Sequence, residues 1–299
     1  MTDGVTAPPA TVSLPEGIEP GGRFGDWRPP SPAFVVCDVD GTLVGPSADA
    51  SDEVVAAVDR AQSAGLRVGF ATGRMRGAVD ALQAQLHARG PHVLHNGAEV
   101  RADGRTVAAW TLEPAQIDAL LAIAAGRDDL YVEIYPEDGF LASRWDERAR
   151  PHWGILGREP SGVIRSSADL DGAPVLKATF AVFDRDAVPT LLEAISDAGL
   201  LAGAAGSPRT PELLYVNATH PEADKGRALV RAAAHLGVAM SDVVAIGDEA
   251  NDLSMLAVAG TAIAMGQAAD EIRDAAHLVV PAVDAHGVAV ALDACLAWR

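Results

Sequence analysis

The 299-residue chain is short of aromatic residues, cysteine and positive charge, and each shortage excludes something. Aromatics make up 5%, so Ala, Val and Leu have to build the core. The two cysteines, Cys37 and Cys295, form no C-x-x-C pair and imply no disulfide framework, as suits free buried thiols in a reducing cytosol. Against 41 Asp and Glu stand only 23 Lys and Arg, a formal net charge of −18. Such a surface repels duplexes and anionic membranes, so neither nucleic acid nor a membrane is an expected partner. No run of 18 apolar residues occurs, and the N-terminus lacks the basic-then-apolar order of a signal peptide, so a cytoplasmic protein is expected. G-x-S-x-G, G-x-x-x-x-G-K-S/T and G-x-G-x-x-G are also missing, which leaves serine-hydrolase, P-loop and dinucleotide chemistry without support. None of the eight His stands in H-E-x-x-H or H-x-H spacing.

What is present is a core-forming chain, 49% hydrophobic, long enough for one large domain or two moderate ones. Residues 1–32 are rich in Pro and Gly and are expected to form a flexible tail, with Phe24 and Trp27 available to pin its end. At Ala33 the pattern changes. Phe34–Cys37, Arg67–Ala71, Val93–Leu94, Val243–Ile246, Thr261–Met265 and Leu278–Val280 are short apolar runs typical of strands covered on both faces. Amphipathic helical stretches alternate with them. One is capped by Ser51, with Val54, Val58 and Ala61 on one face. Another is capped by Asp224 and closed by Gly237. This alternation predicts an α/β fold with a doubly wound, Rossmann-like parallel sheet. Residues 99–217 read differently, with strand-like Tyr131–Tyr135, Leu176–Phe183 and Leu213–Val216 beside two helical stretches. They are expected to form an α/β cap inserted into a core of residues 33–98 and 218–299.

The strongest chemical signal is Asp38-Val39-Asp40-Gly41-Thr42-Leu43, directly after a buried strand. Sites in doubly wound sheets lie at the carboxyl ends of strands. Two carboxylates two residues apart there can serve as nucleophile and proton donor, and can hold a hard cation. Gly247-Asp248-Glu249-Ala250-Asn251-Asp252 follows another strand in the same way and adds oxygen ligands. Thr72-Gly73-Arg74 offers a hydroxyl and backbone amides at a third strand end, and Lys225 starts a helix, where a cation is disfavoured unless an anion is close.

These four motifs, in this order, resemble the haloacid dehalogenase superfamily of phosphatases. The long insertion, Asn96-Gly97-Ala98 and the stretch from Met265-Gly266-Gln267-Ala268 through Asp270-Glu271 resemble its Cof-type, sugar-phosphatase-like branch. The resemblance runs from about Phe34 to the C-terminus. It implies that Asp38 takes the phosphoryl group and that Asp40 protonates the leaving alkoxide, then activates water. It implies Mg2+ held by the Asp38 carboxylate, the Asp40 backbone carbonyl and Asp248. Thr72, Gly73, Lys225 and Asn251 would hold the phosphoryl group and Asp252 would orient Lys225, with Arg74 in a supporting place. The chain departs from the pattern at Gln267, where many members carry Asn, and at Pro221-Glu222-Ala223-Asp224.

Phosphoryl transfer spreads charge over three equatorial oxygens, so it is catalysed mostly by positioning and charge stabilisation, which a cation and Lys225 would supply. Asp40 has to start protonated, which requires a raised pKa beside other carboxylates. The expected partner is a small phosphate ester, with sugar phosphates as the leading class. Two rivals stand beside this reading: a phosphotransferase or phosphomutase on the same scaffold, and a non-catalytic binding or regulatory protein that kept the fold. Elsewhere, bland readings are preferred. His95 is expected to bond to backbone, Tyr131, Tyr135 and Trp145 to pack, and Lys177 and Arg209 to be solvated.

Overall fold

Four consecutive apolar residues need cover on both sides, and Phe34–Cys37 receives it as the middle of a parallel sheet. The structure, a computed structural model, describes residues 14–28, 31–46, 49–206 and 213–299. Arg209 lies outside the described residues. The strands are β1 (Glu19–Pro20), β2 (Phe34–Cys37), β3 (Arg67–Phe70), β4 (His92–Leu94), β5 (Glu99–Ala102), β6 (Arg105–Ala109), β7 (Leu130–Pro136), β8 (Leu141–Ala142), β9 (Val175–Val182), β10 (Leu201–Gly206), β11 (Leu214–Thr219), β12 (Val243–Gly247), β13 (Thr261–Met265) and β14 (Leu278–Val280). The helices are α1 (Asp52–Ser63), α2 (Arg76–Leu86), α3 (Pro114–Ala124), α4 (Arg150–Leu156), α5 (Val188–Asp197), α6 (Lys225–Leu236), α7 (Leu253–Val258), α8 (Asp270–Ala275) and α9 (Gly287–Ala297).

The main sheet runs β1-β14-β13-β12-β2-β3, parallel throughout except for β1. Val54, Val58 and Ala61 of α1 pack with α2 and α9 on one face, while Ala228, Leu229 and Ala232 of α6 pack with α7 and α8 on the other. The sheet is therefore doubly wound, as the sequence predicts. The caps match as well: Ser51 accepts from the Val54 amide, and Asp224 from the Arg227 amide at the start of α6.

Three expectations change. Residues 14–28 do not behave as a tail: β1 pairs with the sheet edge at β14, and Trp27, only 3% exposed, donates from its indole N–H to Thr261 Oγ1 at 3.1 Å. Proline and glycine in this stretch shape a strap, and one buried indole supplies the apolar area that fixes it. Val93–Leu94 does not extend the main sheet, touching it through a single bridge, Ala71 to Val93. It pairs antiparallel with β5, which pairs with β6. Val100, Val107, Ala108 and Trp110 then pack in the core cluster that contains α6. The expected insertion boundary at residue 99 therefore moves to about residue 111, because the β5–β6 hairpin buries its apolar side on the core.

The insertion carries its own antiparallel sheet, β10-β11-β9-β7-β8. Residues alternate between its faces. Val132, Ile134, Ala178, Phe180, Val216 and Ala218 form an apolar core with α3 and α5. Tyr131, Tyr135, Ala181 and Tyr215 join Phe140 and Trp153 on the opposite face, where Met75 of the core inserts among them.

Candidate active site

Asp38 and Asp248 follow directly on β2 and β12, and Thr72 follows β3 after Ala71; the carboxyl ends of these three neighbouring strands open on one cleft. Their side chains converge because the sheet is parallel. Asp38 is almost fully buried, and its amide donates to Ile246 O at 2.8 Å. Lys225, at the first turn of α6, is buried as well. Its Nζ donates to Asp38 Oδ1 at 2.5 Å and to Asp252 Oδ1 at 2.6 Å. Asp252, expected to orient Lys225, is in contact with it, and its Oδ2 also accepts from the amides of Asp248 and Glu249, at 3.0 Å each. These bonds fold the β12 loop around the lysine.

Asp248 is held from the other side. Thr42 Oγ1 donates to its Oδ1 at 2.7 Å, and a Cβ at Gly41 would strike its carboxylate. Gly41 has φ +88°, so the close approach and the left-handed backbone both require glycine. Gln267, the departure from the family pattern, donates from Nε2 to Gly41 O at 2.6 Å and to Asp248 Oδ2 at 3.3 Å. It stitches the two acidic loops together. Spacing alone gave no signal for this role, since Gln267 lies after β13.

One oxygen from each of Asp38, Asp248 and Asp252 lies within 4.8 Å of the others. Three carboxylates therefore face one ammonium. Burial, opposed by Lys225 and reinforced by Asp252 and Asp248, raises the Asp38 carboxyl to about 7. Burial also pushes Asp248 up. For Lys225 burial works downward, but Asp38 and Asp252 outweigh it and hold the ammonium charged. A pocket with surplus carboxylate of this kind suits a hard divalent cation.

Asp40 stands apart from this group. Its side chain is 65% exposed and is gripped by Arg74, Nε to Oδ2 at 3.0 Å and Nη2 to Oδ1 at 2.7 Å. The carboxylate neighbours expected to keep it protonated are replaced by a guanidinium. Thr72 is buried, and its Oγ1 accepts from the Arg74 amide at 3.1 Å. Asn251 Oδ1 accepts from Lys225 Nζ at 3.5 Å, and its Nδ2 donates to Asn96 Oδ1 at 3.3 Å. A Cβ at Gly73 would meet Asn96 at 3.0 Å. Asn96 adopts φ 57°, a left-handed conformation that Asn tolerates.

The bland readings fare unevenly. Tyr131 and Tyr135 are packed, but Trp145 is 48% exposed and meets Trp153 at a tilt of 59°. Among the described residues buried His95 has no hydrogen-bond partner on either ring nitrogen, rather than the expected bond to backbone, and the Tyr135 ring meets it edge-on. Burial holds that imidazole neutral, with Lys177 and Arg76 adding to the effect. Lys177 is 9% exposed rather than solvated. Its Nζ reaches Gly73 O at 3.5 Å and lies 4.6 Å from the Tyr135 ring centre. Burial lowers this amine to about 8, with Glu133 opposing the shift.

Comparison with known proteins agrees with this geometry. The model of the haloacid dehalogenase-like hydrolase family matches residues 35–292. The chain belongs to that family. Among its relatives is the 5-amino-6-(5-phospho-D-ribitylamino)uracil phosphatase of Bacillus subtilis, 29% identical over 89% of this chain and 98% of that protein. A phosphoglycolate phosphatase of Methanopyrus kandleri is 25% identical over 87% of this chain and 95% of its own length. The fold is shared with BT1666, a haloalkanoate-superfamily phosphatase of Bacteroides thetaiotaomicron. The two structures superpose with a TM-score of 0.75 at 22% identity, over 96% of this chain and 99% of that one. The subclass IIB sugar phosphatase BT4131 superposes with a TM-score of 0.72 at 20% identity, over 87% of this chain and 98% of that one.

Proposed function

We propose that this family member is a magnesium-dependent phosphatase that hydrolyses small phosphomonoesters, sugar or polyol phosphates first, through an aspartyl-phosphate on Asp38. The chain is a phosphoric monoester hydrolase of the haloacid dehalogenase type. The observation that carries the finer reading is the contact of buried Lys225 with Asp38, with the Asp248 carboxylate beside them. It supports a pocket in which Asp38 would act as nucleophile, Lys225 as a fixed positive charge and Asp248 as part of a cation site.

Asp38 and Asp248, with the Asp40 backbone carbonyl, are the groups that would hold magnesium. Bound there, the ion would offset phosphoryl charge and keep Asp38 ionised at neutral pH. Asp38 attacks phosphorus, forming the Asp–O–P bond as the ester P–O bond breaks. Asp40 gives its proton to the departing alkoxide. Water then attacks the phosphorus, Asp40 takes the water's proton, and Asp38 is released with inorganic phosphate. Lys225 and Asn251 hold the equatorial oxygens throughout, with Thr72 and the Gly73 amide on the other side. To deliver its proton, Asp40 has to leave Arg74, an exchange that an anionic substrate competing for the guanidinium would favour.

The insertion, about residues 111–219, serves as the cap that covers the cleft and excludes water. The closeness of the ribitylaminouracil phosphatase over nearly its whole length favours a phosphorylated polyol or sugar as the leaving group. Phosphate release is to be measured over sugar, polyol, nucleotide and cofactor phosphates, with and without magnesium. Release confined to the magnesium arm supports the reading. Phosphate passed to a sugar hydroxyl would replace hydrolysis by transfer, and silence across the panel would refute an enzyme.

A further inference from the structure

A buried lysine with no carboxylate at ion-pair distance is costly, and among the described residues Lys177 is such a residue, with only the more distant charge of buried Glu133 acting on it. Burying a cation without a partner costs several kcal/mol, so about every such group is paired. Among the described residues, no Asp or Glu forms an ion pair with Lys177. Among the described residues its one hydrogen bond is the long one to Gly73 O, and the Tyr135 ring lies 4.6 Å from its Nζ. This amine stands at the seam between insertion and core. Gly73 adjoins Asn96, Asn96 bonds to Asn251, and Asn251 reaches Lys225. Lys177 is therefore separated from the Asp38–Lys225 pair only by residues that line the site.

The strand register shows what lies beside it. Lys177 is directly opposite Thr219 on β11 and Tyr135 on β7. Thr179 is opposite Asn217 and Glu133. Directly opposed residues share a face of the sheet, so Lys177, Thr179, Asn217, Thr219 and Glu133 form one polar patch, in which Glu133 is held by Tyr135 and Trp153. The alternate residues face the apolar core beneath. Asn217 and Thr219 line a cleft of about 510 Å³ whose other wall holds Asn96, Lys225 and Asn251. That volume suits a small ligand. Thr179 Oγ1 donates to Asn217 Oδ1 at 2.9 Å, which makes the amide N–H2 the group that Asn217 presents. The insertion wall thus offers an amide donor and a hydroxyl opposite the groups expected to hold phosphate, with the Lys177 ammonium beside them on the same sheet face.

We propose that Lys177, Asn217 and Thr219 recognise the leaving group, donating hydrogen bonds to the oxygens of a sugar or polyol while Lys225 and Asn251 hold its phosphoryl end. This inference rests on the phosphatase reading and assigns specificity within it. Thr179 acts through Asn217 as a positioning residue.

The test compares kcat/KM for ribose 5-phosphate and glucose 6-phosphate with that for p-nitrophenyl phosphate, whose leaving group has no hydroxyls to recognise. A lost hydrogen bond to a charged donor is worth roughly 1.5–3 kcal/mol, about 10- to 100-fold. Lys177→Met is expected to lower the ratio of sugar phosphate to p-nitrophenyl phosphate efficiency by about 10-fold or more. Asn217→Ala and Thr219→Val are expected to lower the same ratio by less, and they carry the test if Lys177→Met does not fold. An active wild type whose variants keep the ratio within about 2-fold overturns this assignment alone. A wild type silent on every ester removes the phosphatase reading and this inference with it.

Discussion

Replacing Asp38 by Asn separates the chemistry of the site from its electrostatics. The side chain keeps its shape and loses its charge and its nucleophilic oxygen, so turnover should vanish. Stability should change in a direction that depends on pH. Burial and the neighbouring carboxylates raise Asp38 from its usual 3.8 to about 7. A raised carboxyl pKa means that the folded state resists ionisation. Its contribution to stability is whole below about 3.8 and is lost as pH rises through 7. Between about pH 5.5 and pH 8 the metal-free wild type should lose roughly 2 kcal/mol from this group, at about 1.4 kcal/mol per unit. Asn cannot ionise, so Asp38→Asn should gain on wild type by about that amount over the same interval. For a chain of this size that corresponds to a few degrees in melting temperature. Thermal melts in chelator at both pH values read the difference, and titrating groups remote from Asp38 cancel between the two proteins. A lead that is equal at both pH values would refute the argument, as would persistent phosphate release by the variant.

Four further outcomes are expected. Chelating divalent ions should stop phosphate release and added magnesium should restore it, and a chelator-resistant rate would remove the metal from the mechanism. Gln267→Ala should weaken magnesium activation by about 10-fold, since it removes the amide that joins Gly41 to Asp248; a titration of rate against magnesium reads it. Arg74→Ala frees Asp40 from its bidentate clamp and should change the pH profile of kcat while the melting temperature holds within a few degrees. Trp27→Ala should cost roughly 3–5 kcal/mol in denaturant unfolding by emptying a buried site and stranding Thr261, with the catalytic residues untouched.

The core was legible because local signals and global fold agree there. Phe34–Cys37 is apolar in every position, and only a strand covered on both faces uses such a run. Asp38, Asp248 and Lys225 follow or start elements whose positions the pattern fixes, so their convergence could be read from the alternation of strand and helix. The N-terminal strap was legible only in part: Trp27 was available to pin its end, but its partner Thr261 lies 234 residues away and no local pattern names it. The β5–β6 hairpin was assigned to the insertion because sequence order says nothing about which body a hairpin packs on. Lys177 was read as solvated because lysine usually is. Its burial is set by register, and a shift of one residue in β9 would have turned it to the apolar side. Gln267 and Arg74 act through contacts between separate loops, which no local pattern encodes.

A net charge of −18 sets a condition on any phosphate substrate. At physiological salt the screening length is about 8 Å, so the acidic surface repels an anion only at close range and offers it no attraction. Attraction has to arise inside the cleft. Two lysines are buried there and for different ends: Lys225 is neutralised by Asp38 and Asp252, whereas Lys177 has no carboxylate within ion-pair distance among the described residues. With three carboxylates near Lys225, the phosphoryl end of the cleft stays negative until a divalent ion enters. The leaving-group end carries the Lys177 ammonium, on the same sheet face as buried Glu133. On the proposed reading the insertion wall bonds the hydroxyl-bearing end of a substrate, and its phosphoryl end is secured only when the cation is present. On that logic magnesium should change kcat/KM for every ester alike, while Lys177 should change it only for leaving groups that carry oxygens to receive its proton.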